Sequence, residues 1–186
     1  KDQLSIIITT SAVQSNPETH LIDAVMDSLY NAIGVLECHK VIVCDGPKVS
    51  DKGPVLWKSG KVTTESAQKY KEYIERLQQK AANGIGPWIN TVILPLPTRH
   101  GFSFGTLEGL KLIKTPFVMV IQHDRAFVQY IDMINVLNDM QHHHRIWCEY
   151  VQELLFETGI ANLQWDKQLP KWTPYPTLPE MPPEPR

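Results

Sequence analysis

A histidine, an aspartate and an arginine follow one another directly after an apolar run. The run Phe117–Ile121 leads through Gln122 into His123, Asp124 and Arg125. A continuous apolar run predicts a strand buried on both faces, and open α/β sheets bind ligands at the carboxyl ends of such strands. A carboxylate suits a hard divalent cation, and a guanidinium can neutralise phosphate or pair with a neighbouring carboxylate. We therefore expect the functional site at this strand end.

Length and composition limit the class of protein. The chain has 186 residues, 42% of them hydrophobic, which is enough for one well-buried domain. Its formal charge of -2 argues against a nucleic-acid partner. No apolar run approaches the roughly 20 residues that span a bilayer, so no transmembrane segment is expected. Three cysteines, Cys38, Cys44 and Cys148, form no disulfide or zinc spacing and predict reduced, structural thiols.

Strand and helix patterns alternate through the first 130 residues. Strands separated by helices indicate an α/β fold with parallel strand pairing. A Thr63 or Thr64 hydroxyl is expected to cap the long, charged second helix. The predicted elements are a strand at 4–10, a helix through 21–29, a strand at 40–45, a helix at 64–82, a strand at 90–96, a helix at about 103–113 and a strand ending at Asp124.

The pattern becomes less regular after residue 130. Residues 131–140 indicate a helix, and 146–156 fit either a strand or a helix. Between them, the polar break at 142–144 predicts a solvated histidine loop, with zinc binding alongside Cys148 as the alternative. From Pro170 onward, seven prolines predict an extended tail over 170–186 without regular hydrogen-bonded structure. Residues 1–169 are then one domain.

Four short motifs follow the predicted strands and loops in a recognisable order. The motifs are Thr9-Thr10-Ser11, Asp45-Gly46, Arg99-His100-Gly101 and His123-Asp124. That order resembles the nucleotide-sugar half of GT-A glycosyltransferases, particularly the family-2-like inverting enzymes, over residues 4–130. The resemblance implies a three-layer α/β/α sandwich with a mostly parallel central sheet, and a short acceptor half at 131–169.

The resemblance assigns the first two motifs to the nucleotide. Thr9, Thr10 and Ser11 would form the wall of the nucleotide pocket. Asp45 would accept a hydrogen bond from the uracil imide or the ribose, as a carboxylate can. The alternative is that Asp45 begins an Asp-Gly-Pro turn and caps it through its own side chain. Both roles can hold together.

The third motif would contact the diphosphate or the sugar. Arg99 offers a planar fork for phosphate oxygens, His100 lies beside it, and Gly101 allows a close backbone approach. The alternative is a surface loop with a solvated arginine.

The fourth motif would hold a metal ion. The family pattern at this strand end is Asp-x-Asp, whose last carboxylate binds the Mn²⁺ or Mg²⁺ that bridges the two phosphates. Asp124 matches that carboxylate, Gln122 replaces the first Asp, and His123 is a further candidate ligand. Gln122 could orient a sugar hydroxyl. Arg125 would neutralise phosphate charge or pair with Asp124.

An inverting transferase also needs a general base to deprotonate the acceptor hydroxyl. The candidates are Glu149, Glu153 and Glu157, of which Glu149 is preferred because it follows the polar break. Family members have more residues in this half, so a minimal acceptor site or lost activity is also open.

The expected function is therefore transfer of a sugar from a UDP- or GDP-linked donor to a hydroxyl of a glycan, lipid or protein. The first alternative is a non-catalytic nucleotide- or carbohydrate-binding module of the same fold. The second is an interaction domain that uses the proline-rich tail. The chain begins at Lys1 rather than Met, which is expected of a processed form. The compartment is left open between the cytoplasm and, if an N-terminal anchor was removed, the Golgi lumen.

Overall fold

The computed structural model describes residues 2–142, 163–165 and 172–174. The chain divides into two compact units, Lys1–Asn135 and Val136–Arg186. The strands are β1 Leu4–Thr10, β2 Ala32–Ile33, β3 His39–Cys44, β4 Lys48–Val49, β5 Lys61–Val62, β6 Thr91–Pro95, β7 Phe117–Gln122, β8 Ile131–Asp132, β9 Leu163–Trp165 and β10 Trp172–Pro174. The helices are α1 His20–Ser28, α2 Thr64–Asn83, α3 Gly101–Leu110 and α4 Met133–His142.

A four-stranded parallel sheet forms the centre of the first unit. Its strand order is β6-β3-β1-β7, and all three neighbouring pairs are parallel. The predicted α/β class with a mostly parallel sheet is confirmed. After β1 the chain adds β3 and β6 on one side, and it then returns to place β7 on the other. The direction of strand addition therefore reverses between β1 and β7, where open α/β sheets bind ligands.

Helices contact both faces of this sheet. A Cβ on Gly109 of α3 would lie 2.9 Å from a Val43 methyl and 3.2 Å from Ile7. On α2, the Tyr73 hydroxyl and the Thr10 hydroxyl are 3.1 Å apart. Successive side chains of a strand point to opposite faces. Since Ile7 and Thr10 of β1 are an odd number of residues apart, α3 and α2 lie on opposite faces.

The close approach of α3 to the sheet gives a matched pair of substitutions. Gly109→Ala is expected to lower the free energy of unfolding by about 1–3 kcal/mol, because the new methyl would overlap the packed Val43 and Ile7 side chains. Gly105→Ala is the control. Its Cβ would lie 3.8 Å from Val43, an ordinary contact, and alanine favours a helix by about 1 kcal/mol over glycine. Urea unfolding of both variants measures the difference, and equal stabilities would contradict this packing.

Helix α2 begins and ends as its sequence predicts. The Thr63 hydroxyl accepts a hydrogen bond from the Ser66 backbone N–H at 3.1 Å, so the predicted cap is confirmed. Gly84 ends the helix in the left-handed conformation, with φ +58°. The side of α2 that faces the core carries the buried stripe Tyr70, Tyr73 and Leu77. The opposite face of α2 is charged and exposed.

A fully buried lysine lies near the amino end of β3. The Lys40 ammonium donates to the backbone carbonyls of Leu36, Cys38 and Ile89, the last two at 3.0 Å. Three carbonyls match its three donors, yet no carboxylate among the described residues pairs with it. Burial lowers the pKa of Lys40 to about 8.

This pKa predicts a distinct dependence of stability on pH. Between pH 8 and about 10.5 the unfolded chain binds a proton at Lys40 that the folded chain has released, so stability rises with pH. Relative to Lys40→Met, the wild-type free energy of unfolding should gain about 2 kcal/mol from pH 8 to pH 10. Urea titrations of both proteins across this range measure the gain. A constant difference between them would show that Lys40 keeps its ordinary pKa.

The predicted burial of β7 on both faces is wrong. Its residues alternate between half-buried and exposed, with Val118 and Val120 more than a third exposed. β7 is an edge strand of the four-stranded sheet, and the contacts of α3 are with β1 and β3. The strand also ends at Gln122, two residues before the predicted end.

In the second unit, the prediction of a tail without regular hydrogen bonding is wrong at Trp172–Pro174. This strand pairs antiparallel with Leu163–Trp165. A short strand with its proline at one end loses few ladder hydrogen bonds. The predicted element at 146–156 and the zinc alternative at His143, His144 and Cys148 lie outside the described residues.

No helix in the described part of the chain is long and apolar enough to cross a membrane.

Candidate functional site

A crevice opens at the carboxyl ends of β1, β3 and β7. Its volume is about 130 Å³. It lies at the reversal of strand order between β1 and β7, and its far wall is the first turn of α3. The lining residues are Thr9, Thr10, Ser11, Val43, Asp45, Arg99, Gly101, Phe102, Gly105, Gln122 and His123.

The end of β1 supplies one wall of the crevice. Thr10 is buried, and its hydroxyl lies 3.1 Å from the Tyr73 hydroxyl of α2. Thr9 and Ser11 are half-buried and more accessible. The Thr9 carbonyl accepts a hydrogen bond from the His123 backbone N–H at 3.0 Å, which joins this wall to the end of β7.

Asp45 ties the end of β3 to the start of α3. Its Oδ1 accepts from the His100 backbone N–H at 2.7 Å, and its Oδ2 accepts from that of Gly101 at 3.0 Å. The Asp45 side chain therefore does not cap the Asp-Gly-Pro turn, and the alternative that it does so is wrong. A carboxylate has about four acceptor positions. Arg99 Nη1 lies 3.3 Å from Oδ2 and occupies a third position, so one acceptor position of Oδ1 has no partner among the described residues.

The Arg99 guanidinium is held inside the site. Its side chain is 19% exposed and pairs with Asp45, so the alternative of a solvated arginine is wrong. A Cβ on Gly60 would lie 2.6 Å from Arg99 Cδ, and a Cβ on Gly46 would lie 2.6 Å from the Thr98 backbone. Both glycines let neighbouring loops approach the arginine loop closely. No local pattern in the sequence predicted the Gly60 contact.

Gly101 combines a special backbone conformation with open space. Its φ is +75°, which glycine adopts without strain. Apart from its chain neighbours and the backbone of its own helix, no atom among the described residues lies within 4 Å of the position that a Cβ would occupy. The crevice therefore reaches the backbone of α3 at this residue.

Two histidine rings near the crevice are oriented by backbone carbonyls. The His123 Nδ1 lies 3.3 Å from the Thr9 carbonyl, and the His100 Nδ1 lies 2.7 Å from the Thr98 carbonyl. A carbonyl only accepts, so Nδ1 carries the proton in each ring and Nε2 is left for a ligand. His123 lines the crevice, whereas the role of His100 there is through its backbone N–H.

Asp124 and Arg125 lie in the turn after β7. Both side chains are exposed, and neither lines the crevice. The Arg125 backbone N–H donates to the Gln122 carbonyl at 3.1 Å and closes the turn. Within residues 2–142, no ion pair joins Asp124 to Arg125 or to another residue, so the predicted structural pair is absent there.

The segment that follows this turn is anchored to the body of the first unit. The Asn31 amide donates to the Phe127 carbonyl at 2.8 Å, and the Phe127 N–H donates to the Ser28 hydroxyl at 3.0 Å. Residues 32–33 then pair with 131–132. The Asp124 turn is therefore fixed at both ends.

A divalent cation at this end of the sheet would need phosphate oxygens and water as ligands in addition to the protein side chains. Among the described residues, no three His, Cys, Asp or Glu side chains come together. His123 has its Nε2 available, and Asp124 offers an exposed carboxylate. A His ring that donates Nδ1–H to a carbonyl is the usual arrangement in metal ligands, and Mg²⁺ commonly takes one or two carboxylates plus phosphates and water.

Several contributors were not predicted from the sequence. The crevice is also lined by Phe102, Val43 and Gly105. The Tyr73 hydroxyl forms a hydrogen bond with the Thr10 hydroxyl. The helical stripe that contains Tyr73 could have identified this tyrosine as buried. It could not have identified Thr10 as its hydrogen-bond partner. Glu149 lies outside the described residues.

Neither the protein-family models nor the curated proteins include a match to this sequence.

Proposed function

We propose that this chain binds a nucleotide-diphosphosugar in the crevice and transfers the sugar to a hydroxyl acceptor, as a GT-A glycosyltransferase does. One observation carries the proposal. Eight residues that the resemblance assigns to the donor site line a single crevice at the reversal of strand order. They are Thr9, Thr10, Ser11, Asp45, Arg99, Gly101, Gln122 and His123.

The described residues have distinct roles in this proposal. Asp45 orders the start of α3 and keeps one acceptor position for the base or ribose. Gln122 is exposed at the crevice and can hydrogen-bond a sugar hydroxyl. Arg99 and Arg125 supply positive charge for the phosphates.

The departing nucleotide diphosphate needs further charge neutralisation. His123 and Asp124 would hold Mn²⁺ or Mg²⁺ there, and such a cation, when bound, stabilises the diphosphate as it leaves. Deprotonation of the acceptor hydroxyl is assigned to Glu149 by the same resemblance, with inversion at the sugar.

A non-catalytic binding module is the second candidate. The crevice volume of about 130 Å³ is below the roughly 300–1,000 Å³ of ordinary ligand pockets. Gln122 also replaces the first carboxylate of the metal motif. A site of this size suits one part of a nucleotide-sugar better than the whole molecule.

Turnover distinguishes the two candidates. A panel of UDP- and GDP-sugars is incubated with the protein and Mn²⁺, and release of free sugar or nucleotide is followed. Hydrolysis or transfer that is lost in Asp124→Ala supports the transferase. Nucleotide binding without turnover of any donor supports the module, and the absence of both binding and turnover contradicts both candidates.

A further inference from the structure

An aromatic ring stands half-exposed in the wall of the crevice. Phe102 belongs to the first turn of α3, lines the crevice and is 52% exposed. The other lining side chains are mostly polar, and Val43 is buried. An exposed apolar face inside a concave, mostly polar site commonly marks a surface that a ligand covers.

The position of Phe102 is fixed by the contacts of the residues before it. The N–H groups of His100 and Gly101 both bond the Asp45 carboxylate, at 2.7 and 3.0 Å. This pair of hydrogen bonds sets the first turn of α3 against the end of β3. Phe102 follows immediately, and Phe102 and Asp45 both line this crevice.

The combination of a ring face and a nearby acceptor selects a flat ligand with a donor on its edge. A nucleobase has both features, because its π face stacks on an aromatic side chain and its ring N–H donates to a carboxylate. We infer that Phe102 is the stacking residue for the base of the bound nucleotide and contributes to selection of base-bearing ligands. This inference rests on the proposed function.

Phe104 provides a matched control on the same helix. It is also an exposed phenylalanine, at 66%, but it does not line the crevice. Removing either ring deletes exposed aromatic surface from α3, while only Phe102 would contact the base. Phe102→Leu keeps an apolar side chain without the π face, and Phe102→Trp enlarges that face.

The test is calorimetric titration of UDP, GDP and inorganic diphosphate, each with Mg²⁺, into the parent protein and these variants. We expect Phe102→Ala and Phe102→Leu to weaken binding of the preferred nucleotide by about 5- to 100-fold. Phe102→Trp should retain it, Phe104→Ala should leave it unchanged, and the affinity for inorganic diphosphate should be the same in every variant.

Two results would overturn the inference while the proposed function stands. These are unchanged nucleotide affinity in Phe102→Ala and an equal loss of affinity for inorganic diphosphate. If the parent protein binds neither nucleotide, the proposed function fails and this inference fails with it. Thermal unfolding of each variant confirms that a measured loss is not a loss of fold.

Discussion

Replacing Asp124 by alanine is expected to weaken Mn²⁺-dependent nucleotide binding by at least about 10-fold, while stability stays unchanged. The carboxylate is exposed in the turn after β7 and makes no ion pair with a described residue, so the fold does not depend on it. Even indirect partners of metal ligands contribute about 10- to 100-fold to metal affinity, and a direct ligand should contribute no less.

The comparison that isolates this effect uses a second exposed carboxylate. Asp27 lies on the outer side of α1, away from the crevice lining. Asp27→Ala changes the net charge by the same amount and should leave nucleotide affinity unchanged. Titrations of Asp124→Ala and Asp27→Ala, with and without Mn²⁺, separate a local metal ligand from a general charge effect. Equal affinities in the two variants would remove Asp124 from the site.

Replacing Asp45 by alanine is expected to lower the free energy of unfolding by about 3–5 kcal/mol and to abolish nucleotide binding. The substitution removes the Asp45 carboxylate from the largely buried Arg99 guanidinium, and losing an opposite charge is costly in a low-dielectric environment. It also removes the acceptor for the N–H groups of His100, which directly precedes α3, and of Gly101, its first residue. Asp45→Asn keeps an acceptor but loses the charge, so an intermediate loss is expected.

A similar cap in an exposed setting serves as the control. The Asp51 carboxylate accepts from the Thr64 backbone N–H at 2.8 Å and from the Thr64 hydroxyl at 2.6 Å, at the start of α2. It is solvent-exposed and pairs with no buried guanidinium, so Asp51→Ala should cost much less than Asp45→Ala. Urea unfolding of both variants measures this. Equal losses would mean that the burial of Asp45 and its pairing with Arg99 add nothing.

The four strands of the central sheet and the helices α1 to α3 could be predicted because local patterns determine them, whereas the two-residue strands β2, β4, β5 and β8 were not predicted. β-branched and apolar runs identify β1 and β3, and the stripe of Tyr70, Tyr73 and Leu77 identifies the buried face of α2. The Thr63 cap follows from a hydroxyl directly before the first residue of α2. Each of these signals lies within one turn or one strand of the element that it specifies.

The site contacts could not be predicted in the same way, since they join distant parts of the chain. Asp45 accepts hydrogen bonds from the backbone N–H groups of His100 and Gly101, which follow it by 55 and 56 positions in the sequence. Arg99 packs on Gly60. Nothing near either residue in the sequence specifies its partner. The exposure of β7 also depends on strand order, which places it at the edge of the sheet.

The most direct test of the central claim is calorimetric titration of UDP and GDP into the protein, with and without Mn²⁺. A donor site in the crevice predicts that one nucleotide binds with one-to-one stoichiometry and more tightly with Mn²⁺. Failure of both nucleotides to bind to a protein shown to be folded, at any Mn²⁺ concentration, would contradict the proposed donor site and with it the transferase.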